Sequence, residues 1–265
     1  MKLPIVQVDA FAERAFTGNP AAVCLLPSML PDASLLAIAG EMNLSETAFL
    51  LGRTDGSYDL RWFTPAVEVD LCGHATLASA HVLWQDGHLA PNADARFHTR
   101  SGELGARRAN GQIVLDFPAQ PAHATSPPDG LIQALGISAP RFVGRNATDW
   151  MLEVESAAAV RSLQPDFRAL KRIEARGVMV TAPGEDREID FVSRFFAPAC
   201  GIDEDPVTGS AHCCLGPFWA GKLGKTALVA RQVSARGGTV HVEVDGPRVR
   251  LVGTAVTVMR GELEC

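Results

Sequence analysis

Glu46 stands in Leu44-Ser45-Glu46-Thr47-Ala48-Phe49-Leu50, at the start of an otherwise apolar, strand-like run. A carboxylate there is costly to bury unless it is paired or protonated. Burial would raise its pKa toward the working range of a general acid or base, whereas a place at the strand mouth would leave it an ordinary solvated group. Two further segments, Gly73-His74-Ala75-Thr76 and Thr208-Gly209-Ser210-Ala211, pair glycine and small side chains with an imidazole or a hydroxyl at helix starts. Free backbone N–H groups and the positive end of a helix dipole make such starts anion sites, with ordinary capping as the plain alternative. Asp203-Glu204-Asp205-Pro206 lies directly before the second start. His74 could give a proton, hydrogen-bond a substrate or cap its helix, and His212 is expected to be satisfied by packing.

Positioning these groups requires strands with few helices between them. Period-two alternation or short β-branched runs predict strands at residues 5–8, 58–63, 113–117, 178–181, 240–244 and 256–259. Helical patterns cover residues 32–42, with Asp32 as N-cap after Pro31, and residues 74–85 and 210–220. The last two are apolar nearly all round, as helices enclosed by a curved sheet would be. The proline-rich stretch at residues 118–128 reads as an interdomain connection. It separates a domain at 1–118 from one at 128–253, and the final strand at about 254–265 could return to the first. Phe63-Thr-Pro65 before Gly73-His74-Ala75 and Phe196-Ala-Pro198 before Gly209-Ser210-Ala211 suggest a duplicated unit. Two facing copies would bring both anion sites to one cleft.

Composition narrows the function classes. The chain has 265 residues, 47% hydrophobic and 20% charged, which excludes disorder and collagen. Lys plus Arg is 24 against 30 for Asp plus Glu, a net charge of −6 with scattered basic residues, so a sequence-independent grip on nucleic acid is not expected. Cys24, Cys72, Cys200, Cys213, Cys214 and Cys265 lack CxxC spacing and read as reduced thiols of a cytoplasmic protein, with Cys24, Cys213 and Cys214 as small core hydrophobes. Neither a signal peptide nor a membrane span is predicted. His81, His88, His98, His123 and His241 show no mutual metal-ligand spacing, and no phosphate-binding glycine motif opens a helix, so neither a metal nor a nucleotide is expected.

Four segments together resemble the PhzF-like family of phenazine-biosynthesis isomerases: Val8-Asp9-Ala10-Phe11 with Phe16-Thr17-Gly18-Asn19-Pro20, then Asn43 to Phe49, Asp70 to Ala78, and Asp205 to His212. The resemblance spans essentially the whole chain and says little about substrate. It implies the α+β, diaminopimelate-epimerase-like fold: two similar domains, each a curved mixed sheet around a central helix, with the active site in the cleft between them. It also implies a homodimer that needs no metal or organic cofactor and acts on a small carboxylate.

Carried over position by position, the resemblance makes Glu46 the catalytic acid/base and His74, Asp205 and Ser210 substrate-binding residues. Gly73, Gly209 and Thr76 would shape the anion sites through their backbones. The activity implied is movement of a carbon-bound proton within the substrate. Epimerases and racemases of the same fold resemble this chain in placing a Cys before the glycine of each helix start. Here those positions hold Cys72 and Thr208, so a two-thiol racemase is not expected, while a one-thiol dehydratase or epimerase using Cys72 stays open. A small-acid-binding or scaffolding protein without turnover is the remaining alternative.

Overall fold

The structure, a computed structural model, describes residues 2–264; Met1 and Cys265 lie outside the described residues. The first unit opens with β1 (Lys2–Ala10), β2 (Asn19–Leu26), α1 (Asp32–Met42), β3 (Glu46–Gly52), β4 (Tyr58–Phe63) and β5 (Glu68–Val69). It continues through α2 (Gly73–Gln85), β6 (Ala95–Thr99), β7 (Gly102–Ala109) and β8 (Gln112–Pro118). Next come β9 (His123–Ala124), α3 (Leu131–Leu135), β10 (Phe142–Arg145), β11 (Asp149–Glu153), α4 (Ala157–Ser162) and α5 (Phe167–Leu170). The chain then forms β12 (Gly177–Pro183), β13 (Phe191–Ala197), β14 (Ile202–Asp205), α6 (Gly209–Leu223), β15 (Ala227–Gln232) and β16 (Gly238–Asp245), and ends with β17 (Arg248–Gly253) and β18 (Ala255–Glu264).

Two compact units result among the described residues, one running to Phe117 and resuming at Arg250, the other spanning Pro118–Val249. The final strand belongs to the first unit: β18 pairs antiparallel with β1 from Lys2↔Glu264 to Ala10↔Ala255. Residues 118–128, read from sequence as a connection, fall in the second unit, where β9 pairs with β10. The fold is α+β with mixed sheets, and the order of pairings is repeated. In the first unit β1 pairs antiparallel with β2, β2 parallel with β3, β3 antiparallel with β4, and β4 with both β5 and, in parallel, β6. In the second, β10, β11, β12, β13, β14 and β15 follow one another in the same sequence of antiparallel and parallel partners.

Each unit lays one long helix against its sheet. Buried side chains line α2 from Gly73 to Trp84 with His81 as the interruption, and it packs against β1, β2, β3, β7 and β18. The apolar sequence all round α2 is therefore a consequence of burial on every side. For α6 the same expectation holds only as far as Trp219; the helix runs on to Leu223, past the predicted end, with Lys222 reaching back to Glu153 at 2.6 Å. Asp32 does not cap α1. Pro31 occupies that position, its carbonyl accepts from Ser34 and Leu35, and the Asp32 carboxylate instead accepts from Arg61 at 2.8 Å. The hydrogen bond from Arg61 holds the Asp32 carboxyl below its ordinary pKa.

Inside α6, His212 is fully buried. Its Nδ1–H donates to the Thr208 carbonyl at 2.7 Å, so Nε2 is an acceptor, and among the described residues it has no hydrogen-bond partner. Cys24, Cys213 and Cys214 are buried, and burial pushes the Cys214 thiol up to about 12.

Two outcomes follow from this packing. Gly18 has φ +67, and a Cβ there would sit 2.2 Å from the Ala10 carbonyl oxygen. Gly18→Ala should therefore lower stability by about 2 kcal/mol or more in denaturant unfolding; an unchanged midpoint would contradict the constraint. Burial lowers His212 from 6.5 to about 4, so the unfolded chain binds the proton first. The stability tied to a neutral His212 is present above pH 6.5 and lost as pH falls toward 4, at most about 3 kcal/mol. His212→Asn, which keeps a donor for Thr208, should flatten the acid slope of unfolding free energy; an unchanged slope would contradict it.

Candidate functional site

In the first unit the sheet brings four element ends together. Parallel pairing of β2 and β3, with Ala21 opposite Glu46, puts the starts of both strands at the same end of the sheet. Antiparallel pairing puts the ends of β1 and β4 there too, with Ala10 opposite Asn19 and Phe63 opposite Thr47. The first turn of α2 meets them. Gly18 makes the tight left-handed step into β2, and the next residue, Asn19, is buried with its Nδ2 3.1 Å from His74 Nδ1. Glu46, first residue of β3 and 14% exposed at its side chain, has Oε2 3.2 Å from His74 Nε2.

His74, the second residue of α2, thus lies between an amide and a carboxylate. An Asn19 N–H donating to Nδ1 leaves the ring proton on Nε2, facing Glu46. Burial lowers His74 to about 3, so the ring is neutral near pH 7. The Nε2 and Oε2 atoms are close without the alignment of a formed hydrogen bond. His74 does not cap its helix, because Cys72 is the N-cap residue, and α2 has no side-chain cap hydrogen bond. The Thr76 hydroxyl and N–H both donate to the Cys72 carbonyl, at 2.6 and 3.1 Å.

Cys72 Sγ lies 3.5 Å from His74 Nδ1. One candidate ligand atom each from Glu46, Cys72 and His74 lies within 4.8 Å of the others, the spacing a cation would need. The carboxylate and the thiol face different ring nitrogens, however, and one cation takes one imidazole nitrogen. The geometry suits proton transfer better than metal ligation.

In the second unit Asp205, at the end of β14, accepts from the Thr208 hydroxyl at 2.5 Å. Gln232, fully buried at the end of β15, fixes this corner: its Oε1 accepts from Thr208 N–H at 2.9 Å and its Nε2 donates to the Asp205 carbonyl at 2.7 Å. With its hydroxyl so engaged, Thr208 gives α6 no side-chain cap. Gly209 and Ser210 open the helix, and Ser210 Oγ accepts from Arg176 Nη2 at 2.9 Å. In the acidic run, Asp203 is exposed and Glu204 is tied to Arg194 at 2.7 and 2.8 Å.

Each unit therefore collects its own share of the residues singled out from sequence: Glu46, His74, Gly73 and Thr76 in the first, Asp205, Gly209 and Ser210 in the second. Sequence reasoning passed over Asn19, Asp149, Arg176 and Gln232. Gly18-Asn19 carried a signal, a glycine before a polar residue entering an apolar strand. The other three meet their partners only through strand pairing.

Comparison with known proteins places this geometry in a family. The model of phenazine biosynthesis-like proteins, PhzC-PhzF, matches residues 8–261. An uncharacterized isomerase of Halalkalibacterium halodurans is 52% identical over 264 residues, 99% of each chain. A human phenazine biosynthesis-like domain-containing protein is 43% identical, again over 99% of each chain. Among solved structures, a PhzF-family protein of Enterococcus faecalis superposes with TM-score 0.93 at 43% identity, covering 100% of both chains. A hydroxyproline epimerase of Agrobacterium vitis, 12% identical with TM-score 0.64 over 99% of this chain and 92% of that one, shares the fold. The chain belongs to the PhzC-PhzF family of phenazine biosynthesis-like isomerases.

Proposed function

We propose that this protein is a cofactor-independent isomerase or epimerase that moves a carbon-bound proton within a small carboxylate substrate, with Glu46 as general acid and base. The observation that carries this reading is the largely buried Glu46 carboxylate 3.2 Å from Nε2 of a neutral imidazole. A carboxylate sheltered from water is a stronger base toward a carbon acid than one in bulk solvent. Glu46 takes the proton from carbon beside an unsaturated or carbonyl-activated centre, and the C–H electron pair moves into the conjugated system. The protonated Glu46 then returns a proton to another carbon on the same face of the substrate, and exchange of the Glu46 proton with solvent before its return is what would label the product. No electrons are gained or lost overall.

The other groups hold the substrate while charge develops. His74 offers an N–H from a ring that does not ionise near neutral pH, so it can steady a developing oxyanion or enolate without competing for the transferred proton. Gly73 and Gly209 open helices that have no side-chain cap, which leaves first-turn N–H groups for an anionic group. Thr76 holds the turn before α2 through the Cys72 carbonyl, and Asp205, fixed by Thr208 and Gln232, orients an amino or hydroxyl group. A thiol mechanism fits less well, because Cys72 faces the hydrogen-bonded side of the imidazole and Thr208 has no thiol to act as a second base.

Incubation in heavy water with dihydroaromatic acids, hydroxyprolines and amino acids, read by mass spectrometry for exchange of carbon-bound hydrogen, tests the assignment. Glu46→Gln should lower exchange about a thousandfold, and Cys72→Ser should change it by no more than a few-fold. Exchange that survives Glu46→Gln and disappears with Cys72→Ser would replace this mechanism with the thiol one.

A further inference from the structure

The second unit holds a charged group that the proposed proton transfer does not use. Arg176 directly precedes β12, and parallel pairing of β11 with β12 sets Asp149 opposite Gly177. Asp149 is fully buried, and Arg176 meets it side-on: Nε donates to Oδ1 at 2.9 Å, and Nη2 donates to Oδ2. The guanidinium carbon lies 5.6 Å from the centre of the Phe195 ring, so one face is covered as well. Gly177 makes this approach possible, since a Cβ there would sit 2.3 Å from the same ring. The remaining Nη2 proton goes to Ser210 Oγ.

We propose that Arg176 and Ser210 form a carboxylate-recognition pair, in which Arg176 fixes the hydrogen-bond direction of Ser210 and the two present parallel donors to a planar anion. A guanidinium only donates, so Ser210 Oγ accepts from it and the hydroxyl proton is left to donate elsewhere. Nη1 has no hydrogen bond to any described residue. In a planar guanidinium, one Nη1 proton lies on the same edge as the Nη2 proton that Ser210 takes. One carboxylate oxygen would accept from Ser210 and the other from Nη1. Asp149 balances the guanidinium charge, so recognition depends on the paired donors and favours a planar two-oxygen anion over a spherical one.

The place of the pair in the repeat strengthens this assignment. His74 is the second residue of α2 and is gripped by groups at the starts of the parallel strands β2 and β3. Ser210 is the second residue of α6 and accepts from Arg176, just before β12, which Asp149 at the start of the parallel strand β11 holds in turn. One architectural position thus carries proton chemistry in one unit and a fixed cation with a hydroxyl in the other.

The inference deepens, and rests on, the reading of Ser210 as a substrate-binding residue, but its test does not need turnover. Acetate, with chloride at equal ionic strength as the control, is titrated into the full-length protein while the backbone amide signals of Gly209, Ser210 and Ala211 are followed by NMR. Acetate should give saturable shifts that chloride does not, equally in the wild type and in Glu46→Gln. Ser210→Ala should weaken acetate binding at least fivefold; Arg176→Lys, which keeps the charge and loses the planar fork, should do the same with its amide spectrum otherwise preserved. Shifts that are absent, equal for chloride, or unchanged in both variants would overturn the proposal. Loss of exchange activity in Glu46→Gln with acetate binding intact would separate this claim from the catalytic one.

Discussion

A buried imidazole that stays neutral is the constraint on which the rest of the first unit depends. His74 has almost no contact with water, so protonating it would strand a charge, and burial lowers it to about 3. A neutral ring carries one proton and must place it. The Asn19 amide settles where: with Nδ1 accepting, the proton goes to Nε2 and faces Glu46. This arrangement needs the starts of β2, β3 and α2 to meet, which the parallel register of β2 and β3 provides. The left-handed step at Gly18 is what delivers Asn19 to that meeting point.

The second unit repeats the same sequence of strand pairings and solves a different chemical problem with it. Where the first has a thiol at the helix N-cap, the second has Thr208, whose hydroxyl and N–H are committed to Asp205 and Gln232. Where the first presents an imidazole, the second presents a hydroxyl backed by an arginine. Asp149, wholly buried, would be costly alone, and its side-on pairing with Arg176 compensates its charge and fixes the guanidinium plane. Duplicated architecture therefore sets positions, and the residues at them place an imidazole beside a carboxylate in one unit and a hydroxyl beside a guanidinium in the other.

Local patterns were legible in the chain. The span of α1 was readable from its hydrophobic spacing, and α2 and α6 could be found from apolar runs opened by Gly-polar-Ala. Asp32 shows the limit of such reading: an acidic residue after proline fits an N-cap by type, but Pro31 takes the cap and a long-range partner, Arg61, takes the carboxylate. The overrun of α6 to Leu223 has a similar origin, since Lys222 finds Glu153, 69 positions away in the chain. Arg176, Asp149 and Gln232 carried no local signal, because their roles arise from strand pairing and sit in no motif. The return of β18 to β1 joins residues more than 240 positions apart and becomes definite only in the pairing register.

The most direct test of the account is the protonation state of His74, read from its ring nitrogens by NMR in uniformly labelled protein at pH 7. The account predicts a neutral ring with its proton on Nε2, unchanged as pH is lowered to 5. An imidazolium at pH 7, or a neutral ring with its proton on Nδ1, would contradict it, because Glu46 would then face either a competing acid or a bare lone pair.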